Sequence, residues 1–221
     1  MTDSTVLPAD RLPGTPAGTP PVRLGIHGSP DLATAIIRAA GRDASEVELV
    51  GYEVGDPFRG LRAGELDVMI VKYGLEEPDL AVSRPVALDP RAVIVGAHHP
   101  LATHTSVSVE ELAAYEGFRC PGAFPEYVWD EVVPPRTPKG RRIRRAYEMG
   151  TVKGLVGTLS GTDAVHLTFQ SLETIAPARM KVIPIVDLPP APVSLAWLRD
   201  PAPAAHTARF IADAEKGSTA R

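Results

Sequence analysis

The sequence predicts an α/β protein, and three observations carry that expectation. Strand-like and helix-like stretches alternate from Val22 onward. The run Asp67–Tyr73 (DVMIVKY) is apolar enough for a strand covered on both faces, as in a parallel sheet. The 221 residues suit two lobes of roughly 100 residues each. Composition agrees: 44% hydrophobic and 23% charged residues describe a folded chain, not a disordered one. The 23 prolines argue against long helices and coiled coils, because an interior proline costs roughly 3 kcal/mol.

Residues 1–21 hold five of those prolines, together with Thr, Gly and Ala and no hydrophobic period, and read as a disordered leader. Val22–Ile26 alternates as a strand, and His27-Gly28-Ser29-Pro30-Asp31 follows as a turn. Leu32, Ile36 and Ile37 then mark the buried face of a helix reaching Ala40, with Ser29 as its N-cap and Pro30 at its first position. Val47–Val54 is a second strand. Asp56-Pro57 opens a short helix that Gly64 closes. Beyond the strand at Asp67–Tyr73, another runs over Arg91–Ala97, and Ser108 caps a helix through Tyr115. Residues 120–139 hold five prolines and should be mostly loop with one short helical turn. A helix from Thr151 to about Leu159, strands at Ala164–Phe169, Lys181–Val186 and Val193–Leu198, and a terminal helix at Thr207–Glu215 complete the order.

Several function classes are disfavoured. The single cysteine, Cys120, excludes a disulfide scaffold and a thiolate zinc site. No apolar run is long enough to span a membrane, and Met1–Pro21 lacks the parts of a signal peptide, so the expected location is cytoplasmic. Six bases cluster at Arg136, Lys139, Arg141, Arg142, Arg144 and Arg145. The rest of the chain then sets 17 bases against 27 acids, a surface that repels nucleic acid. The cluster itself reads as a solvated basic loop, with binding to nucleic acid or an acidic partner as the alternative.

The stretch Gly60-Leu61-Arg62-Ala63-Gly64-Glu65-Leu66-Asp67-Val68 resembles the effector-binding domain of LysR-type transcriptional regulators. Val22-Arg23-Leu24-Gly25 is similar to that domain's first strand, and His99-Pro100-Leu101-Ala102 to its H-P-L-A turn. Ser106–Leu112 is similar to the helix that follows, and Leu188-Pro189-Pro190 through Trp197 to its closing strand. The ordered set covers about residues 22–215. It implies a type 2 periplasmic-binding-protein-like fold: two doubly wound, Rossmann-like lobes joined by two crossing strands, with a small ligand in the cleft between them. Lobe I would be 22–94 plus 191–215, and lobe II 95–190. A full regulator carries a helix-turn-helix ahead of this domain, where this chain has only its first 21 residues, so a chain without DNA binding of its own is expected. Asp163–Thr168 also departs from the family pattern, with His166 at a usually apolar position and Thr168 in place of a proline.

In open α/β sheets ligands collect beyond the carboxyl ends of the strands, where helix N-termini present free N–H groups, so an anion is favoured. Gly28 and Ser29 lie at one such start and Thr151 at another. By resemblance, Ser29 and Thr151 match hydroxyl positions that touch an effector carboxylate, with simple capping as the alternative for both. Lys72 and Tyr73, at the end of the buried strand, could offer a cation and a phenol, or be solvated lip residues. His27 and His166 fall near strand ends facing the cleft, and with Asp31 they could form an acid-base set. Buried, hydrogen-bonded histidines are the plainer account. His166 is also a ligand-contact candidate. The spacing of His98, His99 and His104 fits no metal site, and Cys120 has no adjacent base. Glu126, Tyr127, Trp129 and Asp130 could form a lid or simply pack between the lobes.

The leading expectation is a LysR-like substrate-binding domain holding a small, carboxylated metabolite, with no cofactor or metal. The alternative is a biosynthetic enzyme of dehydratase, lyase or cyclase type that uses His27 and His166 in the same cleft. Pairing as a homodimer, or with a full-length LysR-type regulator, is expected by analogy.

Overall fold

The structure, a computed structural model, describes residues 19–218. The first 18 residues of the expected leader lie outside the described residues. The chain runs β1 (Val22–Ile26), α1 (Pro30–Ala39), β2 (Val47–Gly51), α2 (Arg59–Arg62), β3 (Val68–Lys72), β4 (Leu80–Val82), β5 (Ala87–Asp89) and β6 (Arg91–Gly96). It continues with α3 (Val109–Leu112), β7 (Glu116–Phe118), α4 (Glu126–Val132), β8 (Arg144–Tyr147) and α5 (Val152–Gly161). The last elements are β9 (His166–Phe169), β10 (Met180–Pro184), β11 (Ala191–Leu198) and α6 (Ala205–Lys216).

Two larger sheets organise these elements, and β7 and β8 pair as a third, two-stranded one. The first has six strands in the order β2-β1-β3-β11-β4, with β5 also paired to β11. Strand β1 is parallel to both β2 and β3, in the registers Val22 opposite Val47 and Leu24 opposite Val68, and β11 runs antiparallel to β3. The run Val68–Val71 is buried throughout, as its apolar sequence requires. One face is covered by α1 and α6, whose Ile36, Ile37, Phe210 and Ile211 pack with Leu24, Val68 and Leu195. The other face carries Phe58 and Leu61 against Met69 and Ala196. The second sheet is β10-β6-β9, antiparallel throughout, and its core joins Val93, Val95, Leu112, Phe118, Trp129, Leu159 and Leu167.

The chain changes sheet abruptly at Pro90. Strand β5 ends at Asp89 in the first sheet, and β6 lies wholly in the second from Arg91. The crossing therefore falls earlier than the boundary of 94 and 95 read from the sequence. The return crossing lies between Pro184 and Ala191.

Side-chain caps start three of the six α-helices, α1, α3 and α5. Ser29 accepts a hydrogen bond from the Asp31 N–H at 3.1 Å, and Ser108 forms a capping box with Glu111. Three expectations need correction. Asp56 caps nothing: α2 begins at Arg59 with Phe58 before it and no side-chain cap, so only one turn forms. The helix after Ser108 stops at Leu112, not Tyr115. The proline-rich 120–139 segment contains the two-turn helix α4, started by Pro125 and anchored by buried Val128, Trp129 and Val132. Five of the six bases in the basic stretch are exposed, and the segment also makes specific contacts. Arg144 and Arg145 lie in β8 beside β7, and Arg145 pairs with Asp130 at 2.7 Å. Arg141 donates to the Glu110 carbonyl at 2.5 Å, while Thr137 Oγ1 and the Lys139 N–H donate to the Glu110 carboxylate.

Candidate functional site

Between the two sheets lies a cavity of about 490 Å³, large enough for a metabolite of modest size. The first sheet's side contributes the β1–α1 turn, the end of β3 and the segment after β2. The second contributes α4, the start of α5, β9 and the 3-10 turn Gln170–Ile175. Six of the residues expected to bind ligand or catalyse line it: His27, Gly28, Ser29, Lys72, Thr151 and His166. Two expected residues do not. Asp31 is an exposed first-turn residue of α1 outside the cavity. Tyr73 follows Lys72 on the strand and turns away at φ +67°; its hydroxyl takes a 2.7 Å hydrogen bond from Arg91.

Among the described residues, Lys72 is the one Lys or Arg of the lining, and it is already neutralised. Its Nζ sits 2.9 Å from the carboxylate of Asp89 and 3.9 Å from the centre of the Phe169 ring. Asp89, 2% exposed, also accepts from the Ser171 N–H at 3.2 Å and from its hydroxyl at 2.6 Å. Burial pushes the Lys72 ammonium below its ordinary range, and Asp89 works against that shift. This triad ties β3, the crossing at Pro90 and the 170–175 turn together. Next to it, buried Arg91 donates to the carbonyls of Glu131 at 3.1 Å and Val132, which closes the C-terminus of α4.

Two N-termini face the cavity from opposite sides. Ser29 caps α1, and its hydroxyl lies 2.9 Å from that of Thr174 across the cleft. Thr151 caps α5, accepting from the Gly154 N–H at 3.1 Å. The lobes also touch elsewhere. Gly28 adopts φ +97°, which favours glycine, and a Cβ there would fall 2.3 Å from the Leu172 side chain of the 170–175 turn. On the far rim the Ala123 N–H donates to the Gly55 carbonyl at 2.6 Å, and the Glu76 N–H donates to the Tyr127 hydroxyl at 2.8 Å. Of the four residues read as a lid, Trp129 packs into the second core and lines the cavity, while Tyr127 makes this rim bond.

The histidines have different surroundings. His27 Nδ1 lies 3.3 Å from the Tyr52 carbonyl, and its ring tilts against Tyr52 at 5.6 Å. It is open to the cavity but crowded by protein, and that desolvation lowers its pKa. His166 is buried between Phe118, edge-on at 5.5 Å, and Trp129, at 6.3 Å and 26° from parallel. Burial, with a smaller push from His27, lowers its pKa to about 4, so the ring is neutral at physiological pH. An acid-base set of His27, His166 and Asp31 is not assembled, since Asp31 lies outside the cavity.

The remaining candidates have structural partners. His99 is 2% exposed and accepts the Leu101 N–H at 3.1 Å, capping the Pro100–Thr103 turn. Cys120 donates to the Phe124 carbonyl at 3.2 Å, and burial pushes its thiol up to about 11. Among the described residues no cluster of His, Cys, Asp and Glu could hold a metal, and no helix is long and apolar enough to cross a membrane. Sequence reasoning missed Asp89 and Ser171 altogether. The only signal for Asp89 was a proline immediately before an apolar strand.

The family model for the LysR substrate binding domain matches residues 18–216. The chain belongs to this family. Solved structures with the same fold include CbnR, a LysR family transcriptional regulator, with a TM-score of 0.66 and 18% identity over 87% of this chain and 68% of that one. The effector binding domain of QuiR in complex with shikimate gives 0.63 and 17% over 89% of this chain and 96% of its own. A full-length OxyR variant from Pseudomonas aeruginosa gives 0.60 and 21%, over 91% and 68%. A search of the curated protein sequences returns no match. At these identities the solved structures speak for the fold, which is that of a LysR substrate-binding domain with its cleft between two lobes.

Proposed function

We propose that this LysR substrate-binding domain is a sensor for a small carboxylated molecule with a largely apolar body. The carboxylate would lie between the N-termini of α1 and α5, where Ser29 and Thr151 supply hydroxyls and the helix starts supply N–H groups. The supporting observation is that both caps line one cavity from opposite sides, with apolar walls around them. Lys72 is not a partner for the anion in this reading, because Asp89 already holds it. Lobe I would be residues 22–89 with 191–216, and lobe II residues 91–190.

Thermal-shift titration with small carboxylic acids tests this. A ligand at 100 times its Kd adds roughly 2.7 kcal/mol, which for two lobes of this size is about 5–11 °C. The stabilisation should fall by at least half in Ser29→Ala/Thr151→Val. Equal stabilisation of that variant, or none of the wild type, sinks the carboxylate assignment. The same domain is expected to be cytoplasmic, to pair with itself or with a full-length LysR-type regulator, and to leave bare duplex DNA unshifted in a gel.

A further inference from the structure

Phe118, His166, Trp129 and Phe124 form a row of rings in the second lobe, and the last three line the cavity. Each touches the next at centroid distances of 5.5, 6.3 and 5.9 Å. A wall of this kind could be plain core packing, and Phe118 is indeed fully buried. Its polar atoms say otherwise. The Trp129 indole Nε1 is buried and has no hydrogen-bond partner, although Trp129 is only 3% exposed. His166 is 8% exposed, its Nδ1 is likewise sealed and unpartnered, and no described residue hydrogen-bonds either ring nitrogen. An orphaned buried polar group carries a desolvation cost that packing alone does not repay. Both residues line the same cavity, with the two sealed nitrogens set just behind its surface, where a ligand would meet them once the rings turn.

We infer that His166 and Trp129 form a specificity subsite for a planar aromatic ring carrying a carbonyl-type hydrogen-bond acceptor. The ring would lie against the Trp129–Phe124 wall, with its acceptor reaching the Trp129 N–H and the His166 imidazole after rotamer-scale adjustment. Indole N–H and neutral imidazole N–H can both donate to one acceptor oxygen, and because neither ring is charged, a neutral amide or ketone avoids the cost of burying an uncompensated second carboxylate. The neutral state of the deeply buried His166 ring agrees with this. The subsite deepens the sensor reading and rests on it for the location of the ligand, since the carboxylate end is assigned to Ser29 and Thr151.

Two probes separate the two assignments. Benzamide has the ring and acceptor without a carboxylate; cyclohexanecarboxylate has the carboxylate without a planar ring. Benzamide, titrated to about 10 mM as suits a weak fragment, should give saturable shifts of the assigned Trp129 indole N–H and His166 ring nitrogens in wild-type protein. His166→Leu should weaken benzamide binding roughly tenfold, and Trp129→Phe should do the same while keeping a ring in place. Absence of a saturable shift at these two residues in the wild type overturns the subsite, whatever the variants do. If cyclohexanecarboxylate fails to bind while benzamide shifts both residues, the subsite stands and the carboxylate assignment falls. If 4-carbamoylbenzoate, carrying both groups, binds no more tightly than benzoate, the subsite is overturned even with the carboxylate site intact.

Discussion

Asp89→Asn removes one negative charge and almost no volume from the point where the chain leaves the first sheet. It leaves the Lys72 ammonium, only 16% exposed, with the Phe169 ring as its remaining favourable contact. Breaking a buried pair by removing one partner costs roughly 3–5 kcal/mol, because the other charge stays desolvated. The Ser171 bonds are partly kept, since the Asn carbonyl still accepts one of them. For a protein of this size that loss corresponds to a drop in Tm of about 6–20 °C. The pH dependence has a definite sign. Burial already depresses the Lys72 pKa, and without Asp89 that effect is less opposed. The folded variant can then shed the proton at a pH where the unfolded chain still holds it, so its deficit is full at low pH and shrinks as pH rises toward the free-lysine range. Urea unfolding of wild type, Asp89→Asn and Lys72→Met/Asp89→Asn over a pH series reads this directly. The double variant should recover most of the loss. A loss below about 1 kcal/mol, or a double variant as unstable as the single one, would refute the account of a neutralised charge pair at the hinge.

Three further outcomes are expected. His166 has its pKa lowered from 6.5 to about 4, so wild-type stability should fall as pH drops between those values, by up to about 3 kcal/mol; His166→Leu should show a flatter profile in urea unfolding over that window. For Asp67, burial acts to raise the pKa, but the Arg23 side-chain and backbone hydrogen bonds outweigh it and hold it low. Asp67→Asn should therefore cost roughly 1–2 kcal/mol at neutral pH in chemical denaturation, with the difference vanishing as acid protonates the wild-type carboxylate. Gly122 has φ +51°, and a Cβ there would lie 2.5 Å from the Gly55 carbonyl oxygen. Gly122→Ala should lower stability by roughly 1–3 kcal/mol and disturb the rim, seen as faster amide exchange at Ala123; unchanged exchange would contradict the rim contact.

The long strands and the capped helices were legible in the sequence because their signals are local. Val68–Val71 is continuously apolar, and Ser29-Pro30-Asp31 and Ser108 with Glu111 carry their own caps. The short strands β4, β5, β7 and β8 were not, since three or four residues hold no period and their pairing is imposed by distant partners. The same division runs through the site. His27, Gly28, Ser29, Lys72, Thr151 and His166 fall on the cavity lining because strand ends and helix starts collect at the cleft of such a sheet. Tyr73 was misplaced because strand alternation and its positive φ send it toward Arg91, and Asp31 because the first turn of α1 presents it to solvent. Asp89 was invisible because its importance lies in what it meets from β3 and the 170–175 turn.

That last omission alters the electrostatic character of the cleft. Read from sequence, Lys72 was either a cation for the ligand or a solvated lip residue; in the fold it is spent on Asp89, and Ser171 completes the arrangement. His166 is held neutral by burial, and His27 is displaced in the same direction. Glu53, also on the lining, adds a carboxylate. No uncompensated full positive charge therefore lines the cavity among the described residues. An anionic group must be held by hydroxyls and by the N–H dipoles of α1 and α5, which are short-ranged and set by geometry. Selectivity then passes to the shape and edge chemistry of the apolar walls. There, the unpartnered nitrogens of Trp129 and His166 are the strongest directional features.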